Sequence, residues 1–184
     1  MKKVLSMVVL LTALTGCQTF VGTFENAHHK PKDLGKPPVL TAMLYSTDGN
    51  MTPHGSVNFY NTDQGVQAYG EVTKLMPNHT YAMHIHEKGK CGNNGEDSGG
   101  HFNPYNTKHG HPYAIDSHAG DMPNITADIT GIALVNFVNK KISTNQTAMN
   151  DIHNRAIIIH AKSDDYVSQP AGNAGDRVVC GVIK

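Results

Sequence analysis

Residues 80–86 most constrain the fold, because they alternate in the manner of a β-strand. In such a strand His84 and His86 point to the same side, two residues apart. Two imidazoles side by side on a rigid strand make half of a transition-metal site, since imidazole suits copper and zinc. A polar strand face without metal is the alternative, and this motif alone does not decide between the two.

From residue 39 onward the chain consists of short β-like runs separated by turn clusters such as Asp48-Gly49-Asn50. The runs cover residues 39–47, 55–61, 65–73, 80–86, 125–129, 132–138, 155–161 and 178–183. About eight short strands with glycine-rich connections predict an all-β fold, an eight-stranded antiparallel Greek-key barrel or sandwich. A length of 184 residues suits one such domain.

The amino terminus has a different character. Two lysines precede an apolar run over residues 4–14, which is too short to span a bilayer and predicts a signal peptide over residues 1–16. The sequence Leu14-Thr15-Gly16-Cys17 resembles a bacterial lipobox, so Cys17 is expected to be lipidated. Ordinary cleavage nearby, with Cys17 left as a free thiol, is the alternative.

The residues after the lipobox predict a tether and a location. Gln18 in place of aspartate implies sorting to the outer membrane, with the protein in the periplasm and the membrane contacted only through lipid. Residues 17–38 have no clear period and contain prolines, which indicates a flexible lipidated tether before a folded domain at residues 39–184. His28-His29 lies in the tether and is interpreted as solvated, although adjacent histidines also bind metal loosely. Basic and acidic residues balance at 15 each, so no charge excess points to nucleic acid.

Histidine is the compositional outlier, with twelve residues, and several lie in a long irregular segment at residues 87–124. A loop of that length inside a compact domain is expected to be functional. His160 ends an apolar strand, where it is either a core residue or a further ligand beside His84 and His86. The reactive residues of the loop offer three nitrogens and one carboxylate oxygen, a tetrahedral set that zinc accepts: His101, His109, His118 and Asp121.

These residues lie in motifs that resemble the copper,zinc superoxide dismutases, and the details of the long loop resemble the bacterial periplasmic type. The motifs are Ala82-Met83-His84-Ile85-His86, Gly100-His101-Phe102-Asn103-Pro104, Lys108-His109-Gly110, His118-Ala119-Gly120-Asp121 and the block at residues 172–183. They match in order and spacing over roughly residues 39–184. The resemblance implies an enzyme with one copper and one zinc per subunit that converts superoxide into oxygen and hydrogen peroxide.

The resemblance also implies a role for each matching residue. His101 would bridge the two metals, take up a proton when copper is reduced and return it to the departing peroxide. Asp164 would orient His84 and His109 from behind, unless it is an acidic residue of a solvated loop, and Arg177 would attract and dock superoxide. The implied copper ligands are His84, His86, His101 and His160. The implied zinc ligands are His101, His109, His118 and Asp121.

With Cys17 assigned to lipid, the resemblance implies a disulfide between Cys91 and Cys180 in an oxidising periplasm. Two free thiols are the alternative. The disulfide would pin the metal-binding loop near Arg177, because Cys180 stands three residues after it.

Two features depart from the family pattern. The short loop at residues 166–176 lacks the charged pattern of eukaryotic members, and Asp176 stands next to Arg177. Lys88, Lys90 and Lys108 are hypotheses for steering superoxide in place of this loop, and the alternative for each is an ordinary solvated lysine. The remaining histidines of the domain match no ligand position and are expected to be structural or surface residues: His54, His79, His111 and His153.

A second class of function is a non-catalytic periplasmic lipoprotein that binds copper or zinc without turnover. The presence of Arg177 and Asp164 argues against it, since storage needs neither residue. No strand face is plainly a subunit interface, so the sequence is compatible with a monomer and with a homodimer.

Overall fold

A computed structural model describes residues 35–184, which contain nine β-strands, one 3₁₀ turn and no α-helix. The strands are β1 Leu40–Ser46, β2 Pro53–Thr62, β3 Gly65–Val72, β4 Thr80–Tyr81, β5 Met83–His86, β6 Ile125–Thr126, β7 Ala133–Asn139, β8 Ala156–His160 and β9 Arg177–Val182. The 3₁₀ turn covers Glu96–Ser98. The predicted all-β antiparallel class is confirmed.

Predictions that fall on residues 1–34 lie outside the described residues. These are the signal peptide, lipidation of Cys17, the role of His28 and His29, and most of the tether. In the described part, no helix is long and apolar enough to cross a bilayer.

Seven strands form one antiparallel sheet in the order β5-β8-β9-β1-β2-β3-β7, and β4 pairs with β6 beside it. Alternation along β1 buries Leu40, Ala42 and Leu44 and leaves Met43 exposed, as expected for a strand with one face on the core. Apolar side chains from both ends of the sheet, including β5 and β7, belong to one core cluster. The sheet therefore curls around a single core.

The structure differs from the predicted strands at two points. The run at residues 80–86 is broken at Ala82, whose N–H donates to Lys162 O and whose carbonyl accepts from His160 N, so β4 and β5 belong to different sheets. The predicted run at residues 125–129 shrinks to β6, because the Asp128 side chain accepts hydrogen bonds that close a turn there. Nine strands result instead of eight.

Strand β8 positions the site because it is buried on both faces. Ile157 and Ile159 belong to the main core, whereas Ala156 and Ile158 pack in a second cluster with Cys180. The neighbouring strand β5 is also buried on both faces. Met83 and Ile85 face the core, and His84 and His86 face the opposite side. The segment at residues 87–124 covers that other face.

Candidate metal centre

The long loop is held against β5 by backbone hydrogen bonds. Ile85 N donates to Gly120 O at 2.9 Å, and Phe102 N donates to Ile85 O at 2.8 Å. A Cβ at position 120 would lie 2.2 Å from Ile85 O, so only glycine permits this approach. These contacts bring loop side chains directly over His84 and His86.

Four buried imidazoles meet where β5, β8 and the loop converge: His84, His86, His101 and His160. Each residue of this four-histidine cluster offers a ligand atom, and these atoms lie within 4.8 Å of one another. His86 Nδ1 donates to Gly99 O at 2.9 Å and His160 Nδ1 donates to Gly175 O at 3.1 Å. The Nε2 atoms of these two rings lie 3.3 Å apart with their lone pairs available.

Two nitrogens of this cluster are buried without any hydrogen-bond partner, His84 Nδ1 and His101 Nε2. His84 Nε2 already donates to Asp164 Oδ2 at 2.7 Å, which makes its Nδ1 the acceptor atom. A buried polar atom without a partner is unfavourable by about 1–3 kcal/mol. A bound metal ion would remove both deficits, so the cluster fits copper, for which four imidazole nitrogens are suitable ligands.

A second cluster contains three histidines and one aspartate. Asp121 Oδ1 lies 2.9, 3.0 and 3.3 Å from the Nδ1 atoms of His101, His109 and His118. Ligand atoms about 2.0 Å from a tetrahedral zinc ion stand about 3.3 Å apart. The spacing of this three-histidine–aspartate cluster therefore fits zinc.

His84 also comes close to the second cluster, because its ring stacks on His101 with centroids 3.9 Å apart. Its Nε2 is engaged by Asp164, however, whereas His118 Nδ1 lies 3.4 Å from His101 Nδ1. The fourth member by spacing is therefore His118. His101 belongs to both clusters, with Nδ1 in one and Nε2 in the other.

Two carboxylates fix the rings. Asp121 Oδ2 accepts from Gly110 N and His118 N, each at 3.0 Å, which aims its Oδ1 at the histidines. Asp164 is buried and accepts from His84 Nε2 at 2.7 Å and His109 Nε2 at 2.9 Å. This bridge holds a proton on Nε2 of each ring and leaves Nδ1 as the nitrogen that would bind a metal.

The pKa values follow from burial and from the two carboxylates. Burial and neighbouring rings lower the pKa of His84 to about 3, and burial lowers that of His160 to about 4, so both are neutral with free lone pairs near pH 7. Burial opposes the charged form of Asp121, but hydrogen bonds from three histidines outweigh it and hold the pKa of its carboxyl well below the usual range. Burial also opposes the charged form of His109, yet its two carboxylate partners raise its pKa to about 9. The second cluster therefore favours positive charge at its centre.

Comparisons with known proteins agree with this geometry. The family model described as copper/zinc superoxide dismutase (SODC) matches residues 53–183. The chain belongs to this family. Superoxide dismutase (Cu-Zn) 1 of Aquifex aeolicus (strain VF5) is 41% identical over 134 residues, which cover 71% of this chain and 79% of that protein. Superoxide dismutase (Cu-Zn) of Legionella pneumophila is 36% identical over 147 residues, 79% of this chain and 86% of that protein.

Solved structures give the same result for the fold. A SOD-like protein from Bacillus subtilis superposes with a TM-score of 0.70 at 32% identity, covering 77% of this chain and 96% of that chain. The clock protein EA4 superposes with a TM-score of 0.69 at 33% identity, covering 85% and 98%. This protein is a copper- and zinc-dependent superoxide dismutase.

In this superoxide dismutase Arg177 lies beside the four-histidine cluster. It is paired with His160 across β8 and β9, at a point where the register of the ladder shifts. Its positive charge is one of the influences that lower the pKa of His86 and of His160, after the larger effects of burial and neighbouring groups. The arginine named from the sequence is thus the cation that faces this cluster from β9.

The expected disulfide is present. Cys91 and Cys180 are bonded, with Cα atoms 5.7 Å apart and a sequence separation of 89 residues. Cys180 is buried on β9, so the bond fastens the beginning of the long loop to a central strand of the sheet.

The other histidines of the domain lie outside both clusters, as expected. His54 Nδ1 donates to Thr73 O, His79 Nε2 donates to Ala161 O, and His153 pairs with Asp151. The ring of His111 packs against two tyrosines. The candidate steering lysines are exposed, and Lys88 lies 3.8 Å from the carboxylate of Glu87.

Sequence reasoning missed Gln169, whose side chain holds a ligand. Gln169 Oε1 accepts from His109 N at 2.9 Å, and its Nε2 donates to His109 O at 2.8 Å. The amide thereby pairs with both backbone groups of His109, 60 positions away. Glutamines are ordinary in polar loops, so no signal in the sequence marks this one.

Proposed function

We propose that this dismutase binds copper and zinc through the two clusters and is anchored by lipid to the outer membrane, where it removes periplasmic superoxide. The copper ligands would be His84, His86, His101 and His160. The zinc ligands would be His101, His109, His118 and Asp121. The observation that carries the proposal is His101, which presents one ring nitrogen to each cluster and leaves Nε2 buried without a partner.

Copper held by the four-histidine cluster would supply a one-electron redox couple, and zinc held by the three-histidine–aspartate cluster would supply a fixed positive charge at the shared ring of His101. The overall change consumes two superoxide ions and two protons and yields oxygen and hydrogen peroxide. Arg177 attracts and orients the anion. His101 carries one of the two protons on Nε2 and delivers it to the departing peroxide.

Asp164 and the backbone carbonyls of Gly99 and Gly175 keep the ligand rings in one tautomer throughout the cycle. Because these partners are fixed before substrate arrives, the site needs little rearrangement. Such preorganisation suits a reaction close to the encounter limit, a rate class for which superoxide dismutase is a standard example.

The location is part of the proposal. The apolar run at residues 4–14 and the cysteine after it support export and lipidation, and the Cys91–Cys180 disulfide supports an oxidising compartment. Replacement of Cys17 by alanine should move the protein from the outer-membrane fraction to the soluble fraction. A protein that stays membrane-bound after this change would contradict the anchor. Sedimentation of the released protein distinguishes a monomer from a homodimer, both of which the sequence allows.

The decisive experiment measures dismutation by the purified, copper- and zinc-loaded protein beside three variants. His160→Ala should abolish turnover and reduce bound copper, and Arg177→Ala should lower turnover with both metals retained. His153→Ala, which removes a histidine outside both clusters, is the matched control and should leave both readouts unchanged. Tight binding of both metals by the parent without turnover would favour the metal-buffering lipoprotein instead.

A further inference from the structure

The 3₁₀ turn that follows Cys91 and its N-cap residue Gly95 contact Arg177 through two hydrogen bonds and one ion pair. Arg177 Nη1 donates to Gly95 O at 2.9 Å and to Ser98 Oγ at 2.7 Å. Arg177 Nε lies 3.3 Å from Glu96 Oε1. Neither Glu96 nor Ser98 belongs to either metal cluster.

The turn is shaped to receive the arginine. Gly95 has φ of +83°, and a Cβ there would lie 3.1 Å from Arg177 Cβ and 3.3 Å from its Cδ, so glycine lets the side chain lie flat on the turn. Ser98 is fully buried, and its hydroxyl donates to Gly95 O at 2.8 Å. That donation leaves the lone pairs of Ser98 Oγ facing Nη1.

A guanidinium has five N–H donors. Gly95 O and Ser98 Oγ accept hydrogen bonds from Nη1, and the Glu96 carboxylate forms an ion pair with Nε, whereas Nη2 contacts no acceptor in the described range 35–184. The side chain of Arg177 is 15% exposed, so most of it is shielded from solvent. Nη2 is the donor group that has no acceptor among the described residues.

We propose that Glu96 and Ser98 are positioning residues that clamp Arg177 so that only its Nη2 donors remain available to the substrate anion. The proposal rests on the proposed role of Arg177 in docking superoxide. The same turn also reaches the ligands, since Gly99 O accepts from His86 Nδ1. The same backbone segment therefore positions both the donor that would bind the anion and a proposed copper ligand.

Glu96 carries charge as well as an acceptor, and a pair of variants separates the two. Glu96→Gln removes the charge but keeps an acceptor for Nε, whereas Glu96→Ala removes both. Asp97 provides the matched control, because its exposed carboxylate faces Gly92 and not Arg177. The pair Asp97→Asn and Asp97→Ala makes the same changes one residue away.

The first readout is the affinity for azide, a small anion, from titration of the visible absorption of the copper- and zinc-loaded enzyme. Loss of one contact with the ordinary net strength of a hydrogen bond should weaken azide binding about three- to ten-fold. We expect Glu96→Ala to bind azide that much more weakly than Glu96→Gln, and Ser98→Ala that much more weakly than the parent. The two Asp97 variants should bind azide equally.

The second readout needs no turnover and no copper. The chain contains two arginines, Arg155 and Arg177, so the Nε–H signal of Arg177 can be assigned in a nitrogen-15 spectrum by its loss in Arg177→Lys. In zinc-only protein this proton should exchange slowly with water, and Glu96→Ala should accelerate its exchange more than Glu96→Gln does. Copper and zinc contents of every variant should equal those of the parent.

Equal azide affinity in Glu96→Ala and Glu96→Gln, together with parental affinity in Ser98→Ala, would overturn the clamp. Parental Nε–H exchange in Glu96→Ala would overturn it as well. Arg177→Ala separates this failure from that of the proposed function. If Arg177→Ala weakens azide binding while the turn variants do not, only the clamp fails; if Arg177→Ala has no effect, the docking role of the arginine fails first.

Discussion

At the scale of single residues, Asp164 shows how one buried carboxylate orients two rings from different parts of the chain. Its two oxygens accept from His84 on β5 and His109 in the loop, and Tyr166 N also donates to Oδ1 at 2.7 Å. Gly172, with φ of +65°, closes over it, because a Cβ there would lie 1.8 Å from Asp164 Oδ1. Position 172 therefore requires glycine.

Asp164→Asn should lower zinc affinity about 10- to 100-fold, because an amide cannot accept from both rings and its NH₂ group opposes one of them. Competition with a coloured zinc chelator measures this change. The matched control is Asp165→Asn, since Asp165 is exposed and bonds only within its own loop. Equal zinc affinity in Asp164→Asn and the parent would show that the bridge does not orient the ligands.

The lowered pKa values of His84 and His160 predict how the metal-free protein responds to acid. Below pH 6.5 these histidines are protonated in the unfolded chain, whereas in the folded protein they stay neutral down to about pH 4 for His160 and about pH 3 for His84. The free energy of unfolding therefore decreases as the pH falls through this range. Burial causes both shifts. His109 acts in the opposite sense, with a contribution that is present below pH 6.5 and lost as pH rises through about 9.

Urea unfolding of metal-free protein at pH 7 and pH 4.5 tests this response. We expect a lower midpoint at pH 4.5 and a smaller decrease in His160→Gln, which cannot be protonated. His153→Gln should show the parental decrease. A His160→Gln variant with the full parental decrease would contradict the assignment of acid sensitivity to the buried ring.

Much of the site at this scale could be predicted from the sequence, because histidines and aspartates in the order of a known family identify themselves as metal ligands by residue type. The groups that hold these ligands and Arg177 in place could not be predicted. Glu96, Gln169 and the carbonyls of Gly99 and Gly175 act through three-dimensional placement, and their residue types are common in any polar loop.

At the scale of elements, β8 and β9 form the support on which the site is built. β8 is buried on both faces and β9 carries both Arg177 and Cys180, so the disulfide fastens the loop to the pair that presents His160. Strand positions were predictable from β-branched runs and turn clusters. The break at Ala82 was not, because alternation continues through it and only the hydrogen-bond partner changes.

Removal of the disulfide by Cys91→Ala with Cys180→Ala should lower the free energy of unfolding by about 2–4 kcal/mol. The chain-entropy model gives about 4–5 kcal/mol for a closed loop of this length, which is an upper figure. Urea unfolding of the metal-free double variant beside the oxidised parent measures the difference. A change below about 1 kcal/mol would mean that the loop is held by its backbone contacts to β5 without the bond.

At the scale of the whole molecule, the two clusters bear on different parts of the structure. Three of the four-histidine cluster lie on β5 and β8, whereas all members of the three-histidine–aspartate cluster lie in the segment at residues 87–124. A metal in the second cluster would therefore hold the loop to itself. A metal in the first would fasten the loop to the sheet through His101 alone.

Metal removal should accordingly loosen the loop before the barrel. Hydrogen exchange of metal-free protein should be faster at residues 101–121 than in the loaded enzyme, while β1, β2, β3 and β7 keep their protection, because their ladder hydrogen bonds involve no ligand. Zinc alone should restore most of the protection in the loop, and copper alone should restore less, since only His101 connects the copper cluster to that segment.

Phe102, Ala119 and Met122 are buried in the core and provide the competing explanation, in which apolar packing holds the loop. Equal protection of residues 101–121 with and without zinc would favour apolar packing, and would mean that the loop is folded before zinc binds.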